Sequence, residues 1–374
     1  MTNERRVAVA IPSLDGGGAE RVVVNLLRGF VDAGLEVDLL LVRPRGPLLD
    51  EVPSEVEIVP LAGGRIIASL PSLVRYLRHR RPDVVLSHLD SMNLVALWAR
   101  RLAGVPARVV VTTHIALSRH ASGGSLRQRI VARLVGRAYR SADAVVAVSR
   151  GVAADLERRI RRRDSIRVIY NPIVSPELRK RADSVRSMPA AELPGVPANA
   201  RLVLSVGRLT PQKNQALLLE AFEALAGDVP EAHLVILGEG GERQALEQRA
   251  GELGLEGRIS LPGFVEDVAP WYAAADVFVL SSDWEGLPTV LIEALLYGCP
   301  VVSTRCPSGP EEILEDGRYG RLVPMRDAPA LAEAIRATLR EPPDPARLRA
   351  RAADFATDRA VREYLRALFP EDEV

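Results

Sequence analysis

Short runs of aliphatic and β-branched residues alternate along the chain with longer segments whose apolar positions recur at helical spacing. Val7–Ile11, Glu36–Leu41, Asp83–Ser87, Arg108–Thr112, Ala144–Val148 and Arg167–Ile169 read as strands. Between most of them lie helical segments such as Ala19–Ala33, Leu70–Arg80 and Leu126–Ser141. The rhythm restarts at Arg201, with strands at Leu202–Val206, His233–Leu237, Arg258–Leu261, Val277–Leu280, Pro300–Ser303 and Gly320–Val323. Strands that alternate with helices are joined by crossovers, so each half is predicted to be a doubly wound α/β domain on a parallel sheet. Prolines, serines and alanines interrupt the pattern between the halves. The predicted organisation is a first domain at 1–175, a linker at 176–200, a second domain at 201–345, and a C-terminal helical segment at 346–374 packing back toward the first domain. Doubly wound sheets bind ligands at the carboxyl ends of their strands, and two of them create a cleft.

Of 374 residues, 47% are apolar and 26% charged, which excludes a disordered, collagenous or coiled-coil chain. The net charge of +1 conceals an asymmetry: through Ala190 there are 31 Lys/Arg against 18 Asp/Glu, and beyond it 18 against 30. A basic half suits an anionic partner, while a bipolar surface that helps two domains dock explains the split equally well. Cys299 and Cys306 are too few for a disulfide framework and have no metal-binding neighbours in sequence. The apolar run Val7–Leu14 leads into fold-like sequence without a cleavage site and is expected to be a first strand, not a signal peptide. No charge-free stretch is long enough to span a bilayer, so a cytoplasmic location is expected.

Two strands end in glycine loops. Asp15-Gly16-Gly17-Gly18-Ala19-Glu20-Arg21 opens a helix, where glycines permit close backbone approach and helix N–H groups favour an anion. A dinucleotide fingerprint would need a third glycine where Arg21 stands; in Gly238-Glu239-Gly240-Gly241-Glu242-Arg243 the same position is Arg243. Neither loop continues into a phosphate-binding Lys-Ser/Thr, and tight turns alone would account for both.

Three clusters follow strands in the second half. Arg208 and Lys213 bracket the loop after Val206-Gly207, a placement suited to a diphosphate, although two solvated surface cations would look the same. Asp283-Trp284-Glu285-Gly286-Leu287-Pro288-Thr289 leads into an apolar helix that contains Glu293. A carboxylate there needs donors, either sugar hydroxyls or an ordinary core partner. Cys306-Pro307-Ser308-Gly309-Pro310-Glu311-Glu312 reads as a turn plus helix start.

Glu285 and Glu293, with seven residues between them, resemble the E-x7-E signature of retaining GT-B glycosyltransferases of family 4. Gly-Gly-Gly-Ala-Glu-Arg at 16–21, Thr113-His114, Asn171-Pro172, Gly207-Arg208 with Lys213, and Gly238-Glu239-Gly240 extend the resemblance in order over nearly the whole chain. It implies a GT-B fold: two Rossmann-like domains with a deep interdomain cleft. It also implies a hexosyltransferase that moves sugar from a nucleotide-diphosphate donor, UDP ahead of GDP, with retention. Under it, Arg208 and Lys213 bind the diphosphate, Glu293 the ribose, and Glu285 the transferred sugar. Gly238 and the backbone of Gly286, Leu287 and Thr289 hold donor phosphate and hydroxyls, and Gly17 and Gly18 close over the donor. His114 sits near the sugar and is implied to be catalytic with Glu285, Arg208 and Lys213; a structural loop histidine is the competing reading. His88, also after a strand, is a weaker acceptor-side candidate. With no Asp-x-Asp motif, neither a metal nor any other cofactor is expected.

Between Arg65 and Arg140 there are 14 arginines and two acids. Leu70–Arg81 and Leu126–Arg140 set apolar residues beside arginines in a pattern suited to an anionic membrane surface, and Arg158–Arg163 continues it. Helices that merely cover a sheet share this pattern. The expected partners are a nucleotide sugar, a lipid-linked or glycan acceptor, and the inner face of the cell membrane. With 4% aromatics and none interleaved with the basic run, nucleic-acid binding is not expected. A GT-B nucleotide-sugar epimerase and a non-catalytic sugar-nucleotide-binding module are the alternatives.

Overall fold

The computed structural model describes residues 5–118, 133–160, 166–185 and 188–372. They form two compact units: the chain up to Ile173, rejoined from Ala356 onward, makes unit 1, and Val174–Phe355 makes unit 2.

Unit 1 holds a seven-stranded parallel sheet in the order β3-β2-β1-β4-β5-β6-β7. Its strands are β1 (Arg6–Ile11), β2 (Glu36–Leu41), β3 (Glu57–Pro60), β4 (Val84–His88), β5 (Arg108–Thr113), β6 (Ala144–Ala147) and β7 (Ile166–Val168). Unit 2 holds a six-stranded parallel sheet in the order β10-β9-β8-β11-β12-β13. These are β8 (Arg201–Val206), β9 (Ala232–Leu237), β10 (Ile259–Gly263), β11 (Val277–Leu280), β12 (Val301–Thr304) and β13 (Arg321–Val323). Central strands such as β4, β9 and β11 are buried at every position, as expected when helices cover both faces. Every strand expected from the sequence is present within two residues. β3 was not expected: it is an edge strand, largely exposed and ending in Pro60, and it carries no alternation to reveal it.

Helix α1 (Gly18–Asp32) buries Val22, Val23, Leu26, Leu27 and Phe30 against the sheet. Helix α2 (Leu70–Arg80) packs on helix α3 (Asp90–Ala103). In unit 2, Leu218, Phe222 and Leu225 of the helix Gln215–Asp228 meet Leu331 and Ile335 over Val203, Leu234 and Val277. Complete burial of each such side chain stabilises the fold by ~1.5–3 kcal/mol. The expected helix Leu126–Ser141 falls partly outside the described residues, as do Arg161–Arg163.

Two boundaries differ from the sequence expectation. The stretch 176–200 begins with a helix, Pro176–Ser184, capped by Ser175 and packed on the helix Thr289–Tyr297, so this stretch is part of unit 2. The return to unit 1 comes at Ala356, after a helix, Pro345–Ala352, that also packs on Thr289–Tyr297. The following helix, Thr357–Leu368, buries Ala360, Val361, Tyr364, Ala367 and Leu368 within unit 1. A side chain on Gly29 of α1 would strike Val361, so glycine there permits the close approach. Arg108 Nε donates to the Ala367 carbonyl at 3.2 Å. Among the described residues no helix is long and apolar enough to cross a membrane.

Candidate active site

A parallel sheet leaves a crevice where successive crossovers diverge in opposite directions. In unit 2 that break lies between β8 and β11, adjacent in the sheet but distant in sequence. The loop after β8 carries Arg208 and Lys213, and the loop after β11 carries Glu285. The strand order therefore brings together three residues singled out in the sequence.

Lys213 Nζ donates to Glu285 Oε1 at 2.7 Å, with side chains 16% and 8% exposed. Ser282 Oγ donates to the same oxygen at 2.7 Å, and Gln212 Nε2 reaches Oε2 at 3.4 Å and the Trp284 carbonyl at 2.9 Å. A desolvated carboxylate keeps its charge only with such a set of donors. The backbone joins in: Asp283 N–H donates to the Gln212 carbonyl at 2.9 Å, and Ser281 Oγ to the Lys213 carbonyl at 2.9 Å. Arg208 is exposed, and among the described residues no hydrogen bond or ion pair takes its guanidinium. Gln215 Nε2 holds the Arg208 carbonyl at 3.1 Å.

Glu293 lies one turn into Thr289–Tyr297 and is half-buried. It accepts a hydrogen bond from Tyr272 Oη at 3.1 Å. Burial and the facing carboxylate hold the Tyr272 phenol well above its ordinary range, so it remains a donor. Gly286 and Leu287 are buried ahead of the helix start, where Thr289 is partly open. The first-turn N–H groups of a helix lack intrahelical acceptors and favour an anion. Gly238, at φ +135°, packs its Cα against the Gly207 carbonyl so closely that a side chain would collide with it. Leu209 N–H donates to the Glu239 carbonyl at 2.9 Å, lacing this loop to the one bearing Arg208.

In unit 1 the strand order breaks between β1 and β4. Gly17 and Gly18 follow β1 at the start of α1, with Gly17 as N-cap. His88 ends β4, and His114 follows β5, the neighbouring strand. His88 Nδ1 and His114 Nε2 lie 3.1 Å apart. His88 is completely buried, with no surface left open to solvent. Burial drives its pKa well below 6.5, and His114 adds to the effect. His114 is pushed down to about 4 by removal from water, against an opposing contribution from Asp90. Behind them, Tyr139 Oη donates to Asp90 Oδ1 at 2.8 Å and accepts from Asn93 Nδ2 at 2.7 Å.

Sequence reasoning missed Ser282, Gln212, Tyr272 and Tyr139. Gln212 adjoins Lys213 and Ser282 precedes Glu285 by three, so proximity could have flagged them; nothing in the sequence links Tyr272 to Glu293. Among the described residues no three of His, Cys, Asp and Glu gather as a metal cage would require.

Similarity to known proteins identifies the family. Residues 192–355 match the family model for glycosyl transferases group 1, and residues 16–175 that for glycosyltransferase family 4. The lipopolysaccharide core biosynthesis glycosyltransferase LpsE of Rhizobium meliloti is 31% identical over 85% of this chain and 84% of its own. A Campylobacter jejuni enzyme, N-acetylgalactosamine-N,N'-diacetylbacillosaminyl-diphospho-undecaprenol 4-alpha-N-acetylgalactosaminyltransferase, is 29% identical over 90% of this chain and 91% of its own. Anabaena HepE in complex with UDP and glucose superposes with a TM-score of 0.82 at 22% identity, covering 98% of this chain and 100% of that one. The chain belongs to the family 4 type of GT-B glycosyltransferases.

Replacing Lys213 by Met strands the Glu285 carboxylate among neutral donors and is expected to cost about 3 kcal/mol. Adding Glu285→Gln should recover most of that loss; additive losses in urea unfolding would show that the two side chains are not coupled. In unit 1 the unfolded chain binds protons near pH 6.5, whereas folded His88 and His114 resist them. Stability is therefore lost as pH falls from 6.5 through about 4. Urea midpoints at pH 7 and pH 5 should differ less in His114→Gln than in the unsubstituted protein.

Proposed function

We propose that the chain transfers a hexose, with retention of anomeric configuration and without a metal, from a nucleoside-diphosphate sugar to a lipid-linked or glycan acceptor. UDP is the favoured nucleotide, and the cytoplasmic membrane face the site of action. The observation that carries this reading is the Lys213–Glu285 ion pair at the break in strand order of unit 2, joining the loop that bears Arg208 to the loop that leads into the helix of Glu293.

Cleaving a sugar–phosphate bond leaves negative charge on the departing diphosphate, and fixed dipoles and cations lower that barrier. The open guanidinium of Arg208 can fork two phosphate oxygens. Lys213, held at one end by Glu285, supplies a second cation at fixed position. The start of Thr289–Tyr297 adds backbone donors with Gly286, Leu287 and Thr289, and Gly238 keeps its loop thin enough for phosphate to approach. The Glu293 carboxylate, which accepts from Tyr272, is the proposed contact to the ribose hydroxyls. Glu285 and His114 are the proposed contacts to the transferred sugar, and Gly17 with Gly18 the proposed approach from unit 1. In this reading the protein's own cations meet the charge, and no cofactor is called for.

The acceptor class is suggested by the undecaprenol-linked substrate in the name of the Campylobacter relative. UDP is suggested by its presence in the structurally similar HepE. The outward side of α2 presents Arg75, Arg78 and His79, preceded by an exposed Ile67. Cations beside an apolar side chain are the chemistry of an anionic lipid surface.

With UDP- and GDP-sugars and detergent-solubilised lipid acceptors in EDTA, nucleotide release is expected to require both donor and acceptor, and to fall about 100-fold in Lys213→Ala. No turnover, together with no donor-induced rise in Tm, would overturn the reading. The protein should float with anionic but not neutral vesicles and detach by about 0.5 M salt. Flotation unchanged in Arg75→Glu/Arg78→Glu would remove α2 from the membrane contact.

A further inference from the structure

In unit 1 the neighbouring strands β4 and β5 end in two imidazoles that share one hydrogen bond. His88 Nδ1 and His114 Nε2 are 3.1 Å apart, with ring planes tilted by 35°. One proton lies between them, and its owner follows from the rest of the pocket. His88 is 0% exposed, and its Nε2 is buried with no hydrogen-bond partner among the described residues. If His114 donated, neutral His88 would carry its proton on Nε2, as a buried N–H facing nothing. If His88 donates from Nδ1, its Nε2 is only an unused lone pair. An orphaned buried donor is the rarer and costlier arrangement.

We propose that His88 is a positioning residue whose Nδ1–H donates to Nε2 of His114 and so fixes His114 as the Nδ1–H tautomer. This rests on the reading of His114 as the sugar contact. Its consequence is a definite role: His114 offers a neutral N–H donor to a hydroxyl and cannot take a proton through Nε2, whose lone pair is occupied. The groups facing the pair agree with a neutral state. His88 faces His114, and two cations there would repel. His114 also feels Asp90, whose Oδ1 is occupied by the Tyr139 hydroxyl, itself fixed by Asn93 and Thr113. Leu89, at φ +70°, turns the chain sharply from β4 into α3, placing His88 and Asp90 on either side of a single residue.

The test has two arms. Long-range proton–nitrogen correlation on the full-length protein labelled with 15N-histidine reads the tautomer of each imidazole at pH 7, with His88 and His114 variants assigning the signals. The expected spectrum shows a protonated Nδ1 and a bare Nε2 for both His88 and His114. A protonated Nε2 on His114 would overturn the proposal, whatever the activity. In the second arm, His88→Phe keeps the ring volume and removes the donor, while His88→Asn restores an N–H near the position of Nδ1. His88→Phe is expected to lower kcat about tenfold with donor KM within twofold and to leave His114 as a mixture of tautomers. His88→Asn should recover at least half of kcat and the single tautomer. Equal losses in the two variants would show that His88 acts by packing alone and would overturn the proposal. If His88→Phe does not fold, the spectrum of the unsubstituted protein decides. Should no donor be turned over at all, the glycosyl-transfer reading falls while the spectrum still settles the tautomer.

Discussion

The ion pair of Lys213 with Glu285 joins the two loops that, among the described residues of unit 2, the strand order sets side by side without sequence proximity. Each charge is removed from water, so neither is tolerable alone. Their pairing, with Ser282 and Gln212 completing the donor set, fixes both loops at once. The cations and carboxylates proposed for the donor in unit 2 hang from those loops: Arg208 precedes Lys213 by five residues, and the helix carrying Glu293 starts four residues after Glu285. The pair is thus a structural tie and a chemical device together. It holds the Lys213 ammonium in one direction, set beforehand by Glu285.

Much of this was legible in the chain. Period and β-branching located every buried strand, because a strand covered on both faces has to be apolar throughout. The edge strand Glu57–Pro60 was not legible for the same reason, since half-exposed residues carry no such demand. Glu293 could be recognised as unusual from its apolar surroundings, and Glu285 from its spacing to Glu293. What could not be read was pairing. Nothing in Lys213 announces that its partner is Glu285, 72 residues away, or in Tyr272 that it faces Glu293. Those contacts exist because a parallel sheet folds distant segments into adjacent lanes. The helix Pro176–Ser184 was hidden by the Pro and Ser composition around it, although Ser175 and Pro176 form a regular helix start.

The two units use one architecture to opposite electrostatic ends. Unit 2 closes its break in strand order with a full ion pair, keeping charge in a dry place by matching it. Unit 1 instead carries, at the ends of β4 and β5 on one side of its own break, two imidazoles each held below its ordinary pKa by burial, backed by a tyrosine that occupies the nearby carboxylate.

The C-terminal helix has a bearing on how the protein comes into being. Because the chain leaves unit 1 at Ile173 and rejoins it at Ala356, unit 2 is an insertion within unit 1. Its two ends are stitched together by the Val174 N–H donating to the Phe355 carbonyl at 3.1 Å. A ribosome releases α1 and β5 long before the helix Thr357–Leu368 that covers them. The surface around Gly29 and Thr112 therefore stays bare while the whole of unit 2 is synthesised, and such unpaired apolar surface attracts chaperones and aggregation alike. Unit 2, by contrast, emerges as one uninterrupted piece and can close upon itself at once. The half of the protein made first is the half completed last.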